Sequence, residues 1–132
     1  MDKKLLIEKA RQASLNTYSP YSHFPVGAAI ITKSGKYYQG ANIENASFGL
    51  TNCAERSCLF AAYTDGVRKD DILALAIFTP TDKATSPCGA CRQVMVELLN
   101  ENCPVLLACN KDEVVESTVK ELMPLAFTEK DL

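Results

Sequence analysis

The chain has 132 residues, the length of one compact domain, and is 47% hydrophobic and 23% charged, a balance that supports a packed core and argues against disorder. Its net charge is −2, with no basic stripe, so no nucleic-acid partner is expected and a small, uncharged or weakly charged ligand fits better. There is no run of 18 apolar residues and no apolar signal core near Met1, so no membrane span and a cytoplasmic location are expected.

Residues 3–17 place Leu6, Ala10 and Ala13 on one face, which predicts a helix stopped by Ser19-Pro20. Residues 26–32 and 37–43 read as a β-hairpin about a turn at Lys33-Ser34-Gly35-Lys36. Residues 53–65 lack Pro and Gly and end at Asp65-Gly66, a helix with a glycine stop. Ile72 to Phe78 is an unbroken apolar run, suited to a strand covered on both faces. Ser86 as N-cap and Pro87 at the first helical position predict a helix through Val94, Met95, Leu98 and Leu99 to Asn100. Val105 to Cys109 follows as a strand, and Val114-Val115 as a short edge strand. Thr118 and Glu121 resemble a capping box before a last short helix ended by Pro124. The alternation in the middle implies parallel strands joined by right-handed crossovers. The expected fold class is α/β: one domain over residues 1–132, a three-layer α/β/α sandwich around a mixed five-stranded sheet. Ligands of such sheets bind beyond the carboxyl ends of strands, where helices begin.

Six cysteines in a chain expected in a reducing compartment point to metal binding or buried thiols rather than disulfides. Cys53 opens the second predicted helix, and Cys88 and Cys91 lie in the first turn of the third. A helix N-terminus favours thiolate, the form that binds zinc. The spacing of Cys88 and Cys91 lets both sulfurs reach one ion. Two crossover helices starting side by side bring Cys53 to the same point. Three protein ligands with an open fourth position describe a catalytic zinc site, whereas structural sites are closed with four. Cys58 lies about 140° around its helix from Cys53 and should face elsewhere. Cys103 and Cys109 read as small buried hydrophobes. Glu55, two residues after Cys53, is placed to move protons between water and substrate. By itself it would read as a helix-start glutamate favoured by the dipole; its coupling to "PCGAC" outweighs that. Zinc with three thiolates carries a net charge of −1, which a guanidinium donating to a thiolate would offset. Arg56 is the candidate for that role and Arg92 a second donor, with a surface ion pair the alternative for each.

"NCAE" followed by "SPCGACRQ" resembles the zinc-dependent cytidine deaminase family. "YSPYSHFPVGAAI" at 18–30, "GANIENASFGLTNCAE" at 40–55 and "LMPLAF" at 122–127 extend the resemblance over nearly the whole chain. Many relatives in the wider group carry histidine where Cys53 stands; the all-cysteine form resembles the short, homotetrameric type. The lone His23 is read as an exposed loop residue, not a ligand. The resemblance implies hydrolytic deamination of cytidine and 2′-deoxycytidine to uridine and 2′-deoxyuridine in pyrimidine salvage, one Zn²⁺ per chain, and a homotetramer. It implies that Asn42 and Glu44 hold the ribose 3′-hydroxyl, which an amide and a carboxylate together can serve. A turn asparagine and a surface glutamate are the plainer alternatives. Phe24 resembles the ring that stacks on the pyrimidine, with core packing as its alternative. The Ala54 amide, at a helix start, suits the base O2. Phe127 resembles an aromatic that reaches a neighbouring subunit's pocket, with simple C-terminal packing as the alternative.

Three rivals stay in view. A blasticidin deaminase would share the zinc motifs, but "NIENASFG" looks like the cytidine branch. Nucleotide or RNA substrates would need cationic phosphate contacts. A non-catalytic zinc module would need a fourth protein ligand and would have no use for Glu55.

Overall fold

The computed structural model describes residues 1–132. Helix α1 (Lys3–Ser14) is capped by Asp2, whose carboxylate accepts from Leu5 N at 3.0 Å. The hairpin β1 (Gly27–Thr32) and β2 (Tyr37–Ala41) follows, then α2 (Ala54–Thr64), β3 (Ile72–Phe78), α3 (Gly89–Leu98), β4 (Pro104–Ala108), β5 (Val114–Thr118) and α4 (Val119–Leu122). The strands lie in the order β2-β1-β3-β4-β5. Strand β1 runs antiparallel to both its neighbours, β3 and β4 are parallel, and β5 returns antiparallel to β4. The expected mixed sheet forms, but with one parallel pair only. The hairpin inserts β1 between β2 and β3, so the β2–α2–β3 connection steps over a strand. β2, β3 and β4 nevertheless point the same way, and α2 and α3 begin beyond their carboxyl ends.

Alternate residues of the central strands feed two cores. Ala28, Ile30, Leu75, Ile77, Val105 and Leu107 face α2 and α3, which contribute Cys58, Leu59, Ala62, Cys91 and Met95. Ala29, Ile31, Ala74, Ala76 and Phe78 face α1 through Leu6 and Ala10. Burial on both faces explains the unbroken apolar runs, and each fully buried leucine contributes about 2 kcal/mol. Two glycines let helices sit directly on strand backbone. A Cβ on Gly27 would lie 2.0 Å from Ala10 O of α1, and one on Gly40 would lie 2.4 Å from Cys58 N and 2.5 Å from Ala54 O of α2.

The structure corrects several predicted boundaries. α1 ends at Ser14, well before Ser19-Pro20. α3 begins at Gly89 with Cys88, not Ser86, as its N-cap. Ser86 and Pro87 stay in the approach loop, and the extended backbone of Cys88 (φ −67°, ψ 167°) closes the helix start. β5 runs to Thr118, beyond the expected Val114-Val115. Only half the capping box forms at α4. Thr118 Oγ1 accepts from Glu121 N at 3.2 Å, while its hydroxyl donates to the Glu121 carboxylate in place of a return bond to backbone.

Candidate active site

A cavity of about 510 Å³ opens where α2 and α3 begin, a volume within the range of small-molecule sites. One end holds the thiols. Cys53 caps α2 and Cys88 caps α3, both with extended backbones that leave the side chains beyond the helix ends. Cys91, one turn into α3, is fully buried. The three sulfurs lie within 4.8 Å of one another, and Cys53 Sγ is 3.8 Å from Cys88 Sγ. The edge of a tetrahedral zinc–thiolate site, with bonds of about 2.3 Å, is about 3.8 Å long, so the donor set fits zinc. No fourth histidine, cysteine or carboxylate joins the cluster. Cys58, Cys103 and Cys109 are buried elsewhere; the Cys58 thiol donates to Tyr38 O at 3.3 Å. All six cysteines are free.

The electrostatics follow from this crowding. The Cys53 thiol is lowered to about 5, first by a hydrogen bond from Cys91 and then, against burial, by the Arg56 guanidinium. Cys91 is pushed up because it donates to Cys53 and is buried beside Glu55. A divalent cation bound by these sulfurs would displace the thiol protons. An Arg56 terminal nitrogen donates to Cys53 Sγ at 3.2 Å, and the buried Arg56 Nε has no protein partner. Arg92 does something else. Its Nε donates to Pro87 O and its terminal nitrogen to Leu122 O, both at 2.8 Å, so it ties the approach loop of α3 to the end of α4. It is neither a thiolate donor nor half of an ion pair.

Glu55 lies in the first turn of α2, is 4% exposed, and lines the cavity beside the thiols. Burial is the leading cause that raises its carboxyl above the usual carboxylate range, and the charge on Cys53 pushes the same way. Ala54 also lines the wall. Its N–H is among the first four that a helix leaves without an intrahelical partner.

The opposite end is built from loops. Phe24, Asn42 and Glu44 all line the cavity. The Asn42 amide accepts from Val26 N and donates to Phe24 O, both at 2.9 Å. Glu44 Oε1 accepts from Tyr21 N at 3.0 Å and Ser22 N at 3.1 Å, and Oε2 accepts from the Ser22 hydroxyl. Asn42 and Glu44 are thus neither turn nor surface residues; they are buried and hold the 21–26 loop. His23 is exposed in that loop. Phe127 stands apart: it is 59% exposed, and its carbonyl accepts from Gln93 Nε2 at 2.9 Å.

Sequence reasoning missed Ser22 and Thr79 in the wall. Thr79, almost fully buried at the end of β3, shares a hydrogen bond with Thr81, whose hydroxyl also reaches Lys83 O at 2.7 Å and so braces the loop leading to Ser86. Neither residue has a periodic signal. Ser22 lies inside the "YSPYSHF" stretch, which was the available hint.

A metal-dependent hydrolase is the class this geometry defines: sulfur donors for one cation, a buried carboxylate within the same helix turn, and a cavity sized for a small molecule. Residues 1–107 match the family model described as cytidine and deoxycytidylate deaminase zinc-binding region. The chain is 51% identical over 132 residues to a cytidine deaminase of Halalkalibacterium halodurans, covering 100% of this chain and 98% of that one. The crystal structure of cytidine deaminase from Burkholderia pseudomallei superposes with a TM-score of 0.93 at 45% identity, over 96% of this chain and 100% of that one. A blasticidin-S deaminase of Bacillus cereus is 31% identical over 129 residues, covering 93% of this chain and 90% of that one. The chain belongs to the zinc-dependent cytidine and deoxycytidylate deaminase family.

Proposed function

We propose that this chain converts cytidine and 2′-deoxycytidine to uridine and 2′-deoxyuridine with release of ammonia, a salvage reaction for pyrimidine nucleosides. The observation that carries the proposal is the convergence of Cys53, Cys88 and Cys91 beside buried Glu55 at the floor of one cavity. Those three sulfurs hold the zinc, one per chain. When bound, zinc supplies the Lewis acidity that makes water a nucleophile near neutral pH. Glu55 takes a proton from the attacking water and hands it to N3 of the base, which makes C4 more electrophilic. After addition at C4, Glu55 takes the remaining proton from the new C4 hydroxyl and delivers it to the exocyclic amine, which leaves as ammonia as the C4 carbonyl forms. Its low exposure and raised carboxyl suit a group that must both take and give a proton. The Ala54 amide receives the base O2, and Phe24 packs on the pyrimidine face. Arg56 offsets the charge of the three thiolates.

Asn42 and Glu44 receive one sugar hydroxyl. Their existing bonds support this reading by subtraction. Glu44 has about four acceptor positions, three of which are taken by the 21–22 segment, and Asn42 Nδ2 retains one hydrogen. Glu44 keeps an acceptor position and Asn42 a donor hydrogen, which together can serve a hydroxyl that both donates and accepts. An anionic phosphate at this place would meet the Glu44 carboxylate, which disfavours a nucleotide.

The chain acts as one domain and assembles as a homotetramer in which Phe127 reaches a neighbour's cavity. Its exposure, and that of Leu125, held at φ 55°, supports an intermolecular role for this segment. Six free thiols suit a reducing cytoplasm, and no helix is long and apolar enough to cross a membrane. The test is ammonia release from cytidine, deoxycytidine, cytidine monophosphate and blasticidin S, before and after chelation and zinc return. Turnover of the two nucleosides that is lost on chelation and restored by zinc is expected. Zinc-loaded protein inert on cytidine, or faster on blasticidin S, would overturn the proposal.

A further inference from the structure

We infer that Ser22 is a positioning residue for sugar recognition, which fixes the Glu44 carboxylate and the Phe24 backbone in one hydrogen-bonded unit. The inference rests on the reading of Asn42 and Glu44 as the sugar-hydroxyl site. The Ser22 hydroxyl donates to Glu44 Oε2 and accepts from Phe24 N at 3.0 Å. It is therefore a single-atom bridge between the group that meets the sugar and the residue that meets the base. The other bonds of the segment leave the bridge little freedom. Tyr21 N and Ser22 N occupy Glu44 Oε1, and Asn42 grips Phe24 O and Val26 N on the far side. His23, between Ser22 and Phe24, has φ 55°, a left-handed conformation uncommon outside glycine.

The charge balance points the same way. The Ser22 hydroxyl is the leading cause that holds the Glu44 carboxyl below the usual carboxylate range, acting against burial and aided by the Ser22 and Tyr21 amides. Without the hydroxyl, Glu44 Oε2 would lose its directional partner. The carboxylate would then be held at Oε1 alone, by the Tyr21 and Ser22 amides, and the acceptor left for the ligand on Oε2 would be less firmly oriented. Charge-assisted bonds from neutral donors are short and directional, so this bond orients as well as stabilises. Preorganisation of this kind is read in ground-state binding, since the sugar lies away from the reacting C4.

The experiment measures kcat and KM for cytidine and 3′-deoxycytidine on the zinc-loaded parent, Ser22→Ala and Ser22→Thr. For Ser22→Ala, KM for cytidine is expected to rise about tenfold, with most of the loss in KM rather than kcat. KM for 3′-deoxycytidine should change much less, because that ligand has no hydroxyl for Glu44 to receive. Ser22→Thr keeps the hydroxyl and should restore cytidine KM to within about threefold of the parent. An unchanged KM in Ser22→Ala, or equal losses for the two nucleosides, would overturn the Ser22 role. A parent enzyme that does not distinguish cytidine from 3′-deoxycytidine would instead overturn the sugar-site reading on which it rests. Melting curves of the three proteins separate both outcomes from misfolding, since a variant that folds as the parent does must show the KM effect or reject it.

Discussion

The two ends of the cavity are built on different principles. At the thiol end every functional group sits on the first turn of a helix, or one residue before it: Cys53, Ala54 and Glu55 on α2, Cys88 and Cys91 on α3. At the opposite end, Asn42 and Glu44 lie outside any strand or helix and hold a loop 16 to 23 residues earlier in the chain by side-chain bonds to its backbone. Regular elements place the thiols and Glu55; loops tied by side-chain bonds form the other end. Substitutions at the first end should change turnover, and those at the second should change binding.

The largest effect expected is at Glu55. Glu55→Ala should keep one zinc per chain and lower kcat about a thousandfold or more, since it removes the one group that moves protons at the base. Metal content by atomic emission together with steady-state rates checks this; a metal-loaded variant that still turns over would break the assignment. A smaller loss is expected at Arg56. Arg56→Gln should lower kcat about tenfold at matched zinc content, through the thiolate bond at 3.2 Å, and unchanged turnover would reject the charge-offset role.

The smallest effect belongs to Glu44 and is read in stability. Its carboxyl is held below the usual range in the folded chain, chiefly by Ser22. A group lowered on folding contributes stability above its unfolded pKa and loses it as pH falls through the folded value. The stability difference between the parent and Glu44→Gln should therefore hold from pH 8 to about 5 and shrink below about 4. A difference that instead grows on acidification in thermal melts would contradict the charged, bonded state of Glu44.

The contrast between the ends also explains what a single sequence discloses. Ile72–Phe78 is read correctly residue for residue because a strand buried on both faces, here at every residue but Leu73, has no polar interruptions. The thiol cluster is legible because helix starts and cysteine spacing are both local signals. The start of α3 is misread for a related reason: Ser86-Pro87 is a strong local signal, yet the backbone turns into the helix only after Cys88. The insertion of β1 between β2 and β3 is a long-range pairing with no local mark. The Ser22–Glu44 bond spans 22 residues, and Arg92 spends its guanidinium on two carbonyls; nothing at either position announces such a partner.

Gly40 has no polar side chain and stands outside the cavity, yet it sets how closely α2 lies on the sheet. A Cβ there would need to retreat about 1 Å from Cys58 N to reach ordinary contact, so the strand and α2 would have to move apart. Metal–ligand bonds tolerate displacements of about 0.2 Å. An edge strand thereby acts as a gauge block for the helix that Cys53 caps, by a hydrogen atom where any other residue would carry carbon.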